Sequence, residues 1–440
     1  MYAVIDLETT IKEAYGRKAN PITGENSVVA GAIKRQDSQE PQVIYCAPNN
    51  RTIGSTILSH CTNCTTLVGH NIKFDLLHLW PQIMTTNYGI WDTQLAEHIL
   101  TGQQRGFVSL RDLATTDYQA AVREKNMEKF WEQGICTSKI PRSIVEADVH
   151  ADVLDTEQVL KGHIKKAKEL GCFNLIKAFG NGLLATAEME WNGLQIDRTK
   201  FNVQKADVTV TLALLKNVLD KLIREYLPEP IEINLNSKDQ ISAVLFGGTI
   251  KYVERQPILE DGEPVRYKTG LRQGEIKTKL NDVKFIVEPN IGKNYRTATK
   301  KTGVFSTDDS ILETILKDYT GKKIGEFVEL LLEYRKLFKD YSTYYAGLEK
   351  AIYHTDSRIH PQFNFVATYT GRLSSTAPNA QNLPKPNRSD LTRAIVSRHK
   401  GGKLIGFDYS QLEVIGLALL SNAPILGGEI IQGADIHRRN

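Results

Sequence analysis

The sequence has 440 residues, of which 41% are hydrophobic and 24% charged, and a formal net charge of +4. This is ordinary globular composition, long enough for two or three domains with their own cores, and it argues against a disordered or fibrous chain. No run of about eighteen apolar residues and no basic-then-apolar leader occurs, so a cytoplasmic protein with no membrane partner is expected.

The small positive charge suits a polyanion partner without demanding one. Five cysteines are scattered along the chain. His60, Cys61 and Cys64, with His70, offer part of a zinc pattern, but reduced and mostly buried thiols are the better reading.

In chain order, Tyr2–Leu7, Val28–Ile33 and Gln42–Tyr45 read as short strands. A helix at Ile53–His60, a strand at Thr66–Val68 and a helix over Phe74–Trp80 follow. Strands first, then strands alternating with helices, predict an α/β domain with a mixed sheet covered by helices. Residues 145–171 are helical in pattern, and a second unit begins near Phe173. Amphipathic stretches at Lys200–Tyr226 and Ser310–Ala351 bracket a Lys/Arg- and Gly-rich segment, Gly247–Lys301, expected to form short strands and loops. From His360 the pattern changes to strand-like pieces broken by Gly, Ser, Asn and Pro.

Acidic residues form the first constellation. In Val4-Ile5-Asp6-Leu7-Glu8, alternate residues of a strand share a face, so Asp6 and Glu8 project together while Ile5 and Leu7 enter the core. Gly69-His70-Asn71-Ile72-Lys73-Phe74-Asp75 runs from strand to helix and can set Asp75 beside that pair, with His70 and Asn71 fixing the loop or touching substrate. On the helix near residue 150, at about 100° per residue, Val149, Asp152, Thr156 and Leu160 share a stripe and Asp155 sits toward its edge, making Asp152 the expected inward carboxylate. No compensating basic cluster is expected, so four such acids repel one another unless cations join them. Hard oxygen ligands suit two divalent ions roughly 3.5–4 Å apart, the arrangement that phosphodiester hydrolysis uses.

These three segments resemble the three motifs of the DEDD 3′→5′ proofreading exonucleases. The resemblance implies an RNase H-like fold and assigns Asp6, Glu8, Asp75 and Asp152 as catalytic metal ligands for Mg²⁺ or Mn²⁺, with single-stranded 3′ ends as substrate and Asn71 as a substrate contact. Trp91-Asp92-Thr93 and Ser109-Leu110-Arg111-Asp112-Leu113 are similar to parts of phage polymerase exonuclease domains. The third motif departs from the family: Asp148 stands where a tyrosine orients the attacking water. His150 and Asp155 fit the sister subclass, which leaves Asp155 as the alternative fourth acid.

The second constellation lies near the C-terminus: Thr370-Gly371-Arg372-Leu373-Ser374-Ser375, Pro378-Asn379-Ala380-Gln381-Asn382-Leu383-Pro384 and Phe407-Asp408-Tyr409-Ser410-Gln411-Leu412-Glu413. Lys403–Phe407 reads as a buried strand delivering Asp408, and Leu412–Ser421 as the helix after it. A carboxylate there can hold Mg²⁺ against a triphosphate, and the Gly-Arg and Gln-Asn segments offer donors to minor-groove acceptors.

The ordered set resembles the palm of family A DNA polymerases of bacterial or bacteriophage type. By that resemblance Asp408 and the carbonyl of Tyr409 bind the catalytic metal, Glu413 excludes ribonucleotides, and Arg372, Gln381 and Asn382 touch the primer–template. Gln411 and His437 belong to the substrate site for dNTPs. Val414-Ile415 replaces the family's Leu-Arg, so one expected arginine is lacking. Met189–Asp197 is similar to the start of the polymerase domain, while Asn234–Phe246 and Glu333–Tyr344 are similar to thumb segments.

The implied architecture is an exonuclease domain (1–170), a mostly helical thumb region (171–355, including the basic segment 247–301) and a partial α+β palm (356–440). The family's fingers helix and second palm acid are not found before Asp435–Asn440. The expectation is therefore the N-terminal part of a split polymerase, completed by a separate C-terminal polypeptide. A stand-alone exonuclease and a non-catalytic DNA-binding fragment are the alternatives. The basic segment either contacts duplex phosphates or docks a processivity factor.

Overall fold

In the computed structural model, β1 (Tyr2–Thr9) pairs antiparallel with β2 (Val28–Arg35), and β2 antiparallel with β3 (Gln42–Tyr45). After α1 (Ile53–His60), β4 (Thr66–Gly69) lies parallel to the other side of β1. Past α2 (Lys73–His78), β5 (Gly89–Asp92) pairs parallel with β4, which gives the order β3-β2-β1-β4-β5. The helices α3 (Thr93–Leu100), a single turn α4 (Leu110–Asp112), α5 (Asn126–Glu132) and α6 (Arg142–Glu169) follow. The structure describes all residues except 12–19, 23–25, 47–52, 81, 86, 125, 229–230, 261, 268–273, 385–388 and 435–440.

Strand alternation in β1 sorts its residues between two cores. Ala3, Ile5 and Leu7 bury among Ile57, Leu67, Leu76 and Leu79. Val4 turns to the opposite face, where Val68 and the α6 residues Val145, Val149 and Val153 meet it. Asp6 and Glu8 share the face of Val4 and so point toward α6.

α7 (Phe173–Asn192), β6 (Leu194–Ile196) and α8 (Arg198–Ile223) begin the next region. Asp197 caps α8 by accepting from Lys200 N at 3.1 Å, satisfying one of the amides a helix start leaves unpaired. Then come α9 (Lys238–Phe246), β7 (Gly248–Pro257), β8 (Leu259–Glu260), β9 (Glu263–Pro264), β10 (Thr278–Val287), α10 (Asp309–Tyr319) and α11 (Lys323–Asp340), which passes through the π turn Tyr341–Tyr345 into α12 (Ala346–Ala351). Leu219, Ile223, Phe246, Leu312, Phe327 and Leu331 build one core among these helices.

The segment Gly247–Lys301 is more regular than the sequence predicts. β7 and β10 are ten-residue strands in one antiparallel register from Gly248↔Val287 to Thr278↔Pro257. The physical reason is local. Ile250 and Val287 enter the helical core, with Tyr252 and Phe285 packed against it, and together they anchor the base of the hairpin, so the ladder beyond needs no apolar cluster of its own.

β11 (Arg358–Ile359) pairs with β6 in a small sheet of order β11-β6-β14, where β14 is Ile395–Val396, and β12 (Gln362–Asn364) forms a hairpin with β13 (Ser374–Thr376). The chain divides into two compact units, Met1–Ile395 and Val396–Asn440. The second contains α13 (Leu412–Leu420) and α14 (Pro424–Ile431). The buried strand expected at Lys403–Phe407 is not formed; the segment is irregular, with Ile405 86% and Phe407 90% exposed. A strand needs a hydrogen-bonded neighbour, and no ladder forms around this segment among the described residues. No helix among the described residues is long and apolar enough to cross a membrane.

Candidate functional site

Asp6 and Glu8 on β1 and Asp152 on α6 converge: ligand oxygens of the three lie within 4.8 Å of one another. The β1–β2 register shifts between Glu8 and Thr9, and such an irregularity at a strand end re-aims its side chains. Asp75, buried on α2, turns one oxygen to the backbone between the two strand acids, accepting from Leu7 N at 3.1 Å. Asp6 Oδ2 is buried with no hydrogen-bond partner among the described residues. An orphaned carboxylate oxygen in an oxygen-rich cluster is what a hard divalent cation satisfies. The donor set therefore fits the expected metal.

Burial first, then Asp152, Asp75, Glu8 and Asp148, raise the Asp6 pKa well above the usual carboxylate range. Burial, followed by Asp152, Asp148 and Asp75, does the same to Glu8. Asp148 is pushed up to about 6 by burial and by Asp152, against the pull of Arg123 and Arg111.

The Asp148 shift makes a pH prediction. A carboxyl whose folded pKa is raised stabilises the fold below its unfolded pKa, and that contribution is lost as pH rises through the folded value. In EDTA, Asp148→Asn should gain stability over the parent chain between about pH 4 and about pH 6, with a flat difference above. Urea unfolding at stepped pH measures it; a pH-independent difference would refute the assignment.

On α6 the buried stripe runs through Val145, Val149, Val153, Thr156 and Leu160. Asp152 lies at the edge of this stripe rather than on it, and Asp148 and Asp155 share that edge. The expectation of no basic compensation is corrected here. Arg123, from the stretch before α5, bonds Asp152, donates from Nε to Asp155 Oδ2 at 3.0 Å, and stands 3.7 Å from Asp148. Arg111 adds a contact of 3.9 Å to Asp148. The spacing of Asp148, Asp152 and Asp155 at i, i+4 and i+7 is one helical face, and that like-charge stripe was the available signal for a nearby cation.

The strand-to-helix loop is built by His70, as expected, and by Asp92, which the sequence reading left without a role. Asp92 accepts from Asn71 N (3.2 Å), Ile72 N (2.9 Å), Gln94 N (2.8 Å) and Leu95 N (3.0 Å), capping α3 and pinning the loop before α2. Both ring nitrogens of His70 are engaged, with Thr93 Oγ1 at 2.9 Å and Val108 O at 2.8 Å, so it fixes the loop. Asn71 takes a left-handed φ of 54°, which asparagine tolerates. It lines a pocket with Lys73, Gln94, Phe363 and Asn364. Ser109 accepts from Asp112 N at 3.1 Å, which explains Ser109–Leu113 as a helix start.

The polymerase-like residues are arranged by a hairpin and a turn. Ser375 Oγ on β13 accepts from Ala380 N of the following turn at 3.1 Å, and Gln381 Nε2 donates to Leu373 O at 3.0 Å. Arg372, Gln381 and Asn382 are exposed. In the second unit Asp408, Tyr409 and Glu413 are exposed, and Gln411, with φ 54°, precedes α13 and donates to Ala434 O at 2.8 Å. His437 lies outside the described residues.

Comparison with known proteins agrees with these segments. Residues 277–440 match the family described as DNA polymerase family A. The chain is 32% identical over 253 residues to the thermostable DNA polymerase I of Thermus aquaticus, covering 57% of this chain and 24% of that protein. It is 28% identical over 389 residues to the DNA polymerase of Bacillus phage SP01, covering 84% of this chain and 41% of that one. It thus spans less than half the length of these relatives. Its fold is similar to the POL domain of Pol1 from M. smegmatis, solved in complex with DNA primer-template and dNTP: TM-score 0.63, 21% identity, 99% of this chain and 61% of that chain covered. Residues 277–440 are thus similar to the family A DNA polymerase domain, and the chain is similar to parts of bacterial DNA polymerase I and of a phage DNA polymerase.

Proposed function

We propose that the chain joins a two-metal 3′→5′ exodeoxyribonuclease site to the thumb and first palm acid of a DNA-directed DNA polymerase. The convergence of Asp6, Glu8 and Asp152 within 4.8 Å carries the exonuclease half. Mg²⁺, or Mn²⁺, suits such oxygen ligands. Two bound ions would activate water and neutralise the leaving 3′ oxygen. The chain's own acids hold the geometry: Asp6 and Glu8 from the rigid strand, Asp75 locked to its backbone, Asp152 from the facing helix. Asn71, its backbone pinned by Asp92, contacts the 3′-terminal nucleotide.

For the polymerase half, Asp408 and the Tyr409 carbonyl hold metal, Arg372, Gln381 and Asn382 contact primer–template, and Gln411, Glu413 and His437 serve the dNTP. The corresponding domains are 1–170, 171–355 and 356–440. Ile405, Phe407, Leu420, Ile425 and Ile431 are each at least 80% exposed. Apolar exposure of this kind marks an interaction surface. We assign it to polypeptide carrying the fingers and the second palm acid, which in a split polymerase is a separate chain.

The test is a gel assay of the chain on a 5′-labelled primer–template with Mg²⁺, with and without dNTPs, beside Asp6→Ala. Shortening from the 3′ end that Asp6→Ala abolishes supports the exonuclease. Extension by the chain alone overturns the split arrangement.

In the β7–β10 hairpin, Lys251 and Lys284 are exposed and directly opposite. Like charges so placed repel unless an anion joins them. If the hairpin meets duplex phosphates, replacing both by Gln lowers DNA affinity and reduces the slope of log K against log salt by about 2. An unchanged slope in fluorescence anisotropy would assign the hairpin to a protein partner such as a processivity factor.

A further inference from the structure

Arg123 lies outside the strand and helices that carry the acids, yet its guanidinium spans the edge of α6. Nε and Nη2 reach Asp155 Oδ2 at 3.0 and 2.8 Å, and Nη2 also bonds Asp152. Asp152 is therefore shared. On one side its oxygen lies within 4.8 Å of ligand atoms of Asp6 and Glu8; on the other it is held by a fixed positive charge.

A divalent ion entering among Asp6, Glu8 and Asp152 meets that charge as a competitor. Charge-assisted bonds to carboxylates are among the stronger hydrogen bonds, and a cation beside a metal ligand also opposes the incoming ion through space. Arg123 is not lost when Asp152 leaves, because Asp155 retains its Nε and Nη2 and Asp148 stands 3.7 Å from Nη1. The side chain thus has an anchor, Asp155, and a releasable partner, Asp152.

We propose that Arg123 is an internal latch on the metal centre. It neutralises Asp152 in the metal-free chain, yields it when the ion binds, and so sets the divalent-ion concentration at which the site loads. This rests on the reading of Asp6, Glu8 and Asp152 as metal ligands. It also gives the acidic residue at 148 a role: Asp148 and Asp155 together make the second seat for the guanidinium.

The test is Mn²⁺ binding to the whole chain, followed by the electron paramagnetic resonance signal of the free ion, for the parent, Arg123→Gln, Arg123→Lys and Asp6→Asn. Arg123→Gln should bind Mn²⁺ about tenfold more tightly. Lysine keeps the charge without the two-pronged fork, so Arg123→Lys should fall between the parent and Gln, and it carries the test if Arg123→Gln does not fold. Equal or weaker binding in the folded variants overturns the latch. If Asp6→Asn abolishes binding while Arg123 variants match the parent, the metal site stands and the latch alone falls. If neither the parent nor any Arg123 variant binds Mn²⁺, the metal-site reading and the latch fall together.

Discussion

Asp6→Ala should cut 3′-end hydrolysis by about a thousandfold, ~4 kcal/mol of lost transition-state stabilisation, while leaving the metal-free protein as stable as its parent or more so. The two halves of this expectation have one cause. Asp6 sits beside Glu8 and Asp152 with a buried, unpartnered oxygen, and burial and the neighbouring acids favour its neutral form. Such a group costs stability until a cation satisfies it. Removing it relieves repulsion with Glu8, Asp75 and Asp152 but withdraws a ligand from the strand end. The paired measurement is single-turnover cleavage of a 5′-labelled strand with urea unfolding in EDTA. Lost activity with unchanged or raised stability fits a functional carboxylate. Lost activity with a large loss of stability would mean that Asp6 is structural.

What could be read ahead of the structure follows from how local each signal is. Alternation in Tyr2–Leu7 is a property of neighbouring residues, and it placed Asp6 and Glu8 on one face of a strand that runs Tyr2–Thr9. The helix at Ile53–His60 and the strand at Gln42–Tyr45 have the expected bounds for the same reason. Arg123 was not legible as part of the site, because it reaches α6 from a stretch without regular structure 29 residues before Asp152. The hairpin was only partly legible: Ile250 and Tyr252 on β7 and Val283, Phe285 and Val287 on β10 alternate, but the Lys-, Arg- and Gly-rich residues around them mask that short pattern. At Lys403–Phe407 an apolar run promised a strand, but a run specifies only a tendency. The ladder depends on a partner elsewhere, and none is formed around it among the described residues.

The buried pair Lys73–Glu190 is equally invisible to local reading, and it carries the largest stability prediction. Lys73 lies two residues before Asp75 on α2. Its Nζ is 2.5 Å from Glu190 Oε1 on α7 and also bonds the carbonyl of Phe363 on β12, whose amide donates back to Glu190 at 2.6 Å. Lys73→Met would leave Glu190 buried without its cation and with one remaining donor, the amide of Phe363. Breaking one side of a buried pair costs about 3–5 kcal/mol, whereas replacing both partners by apolar groups is often nearly neutral. Burial raises the Glu190 pKa even against Lys73, and by the same principle Lys73→Met/Glu190→Leu should recover most of the loss. Urea unfolding of the single and double variants, with Glu190→Leu to close the cycle, measures this; equal losses in Lys73→Met and the double variant would refute it. Activity should follow a different order. Both variants remove the polar tie of α2 to α7 and β12, and Asp75 depends on α2 to keep its 3.1 Å contact with Leu7 N. Stability restored in the double variant without restored 3′-end hydrolysis would separate the two roles: the ion pair is dispensable for the fold, but Lys73 is required to aim the helix that delivers Asp75.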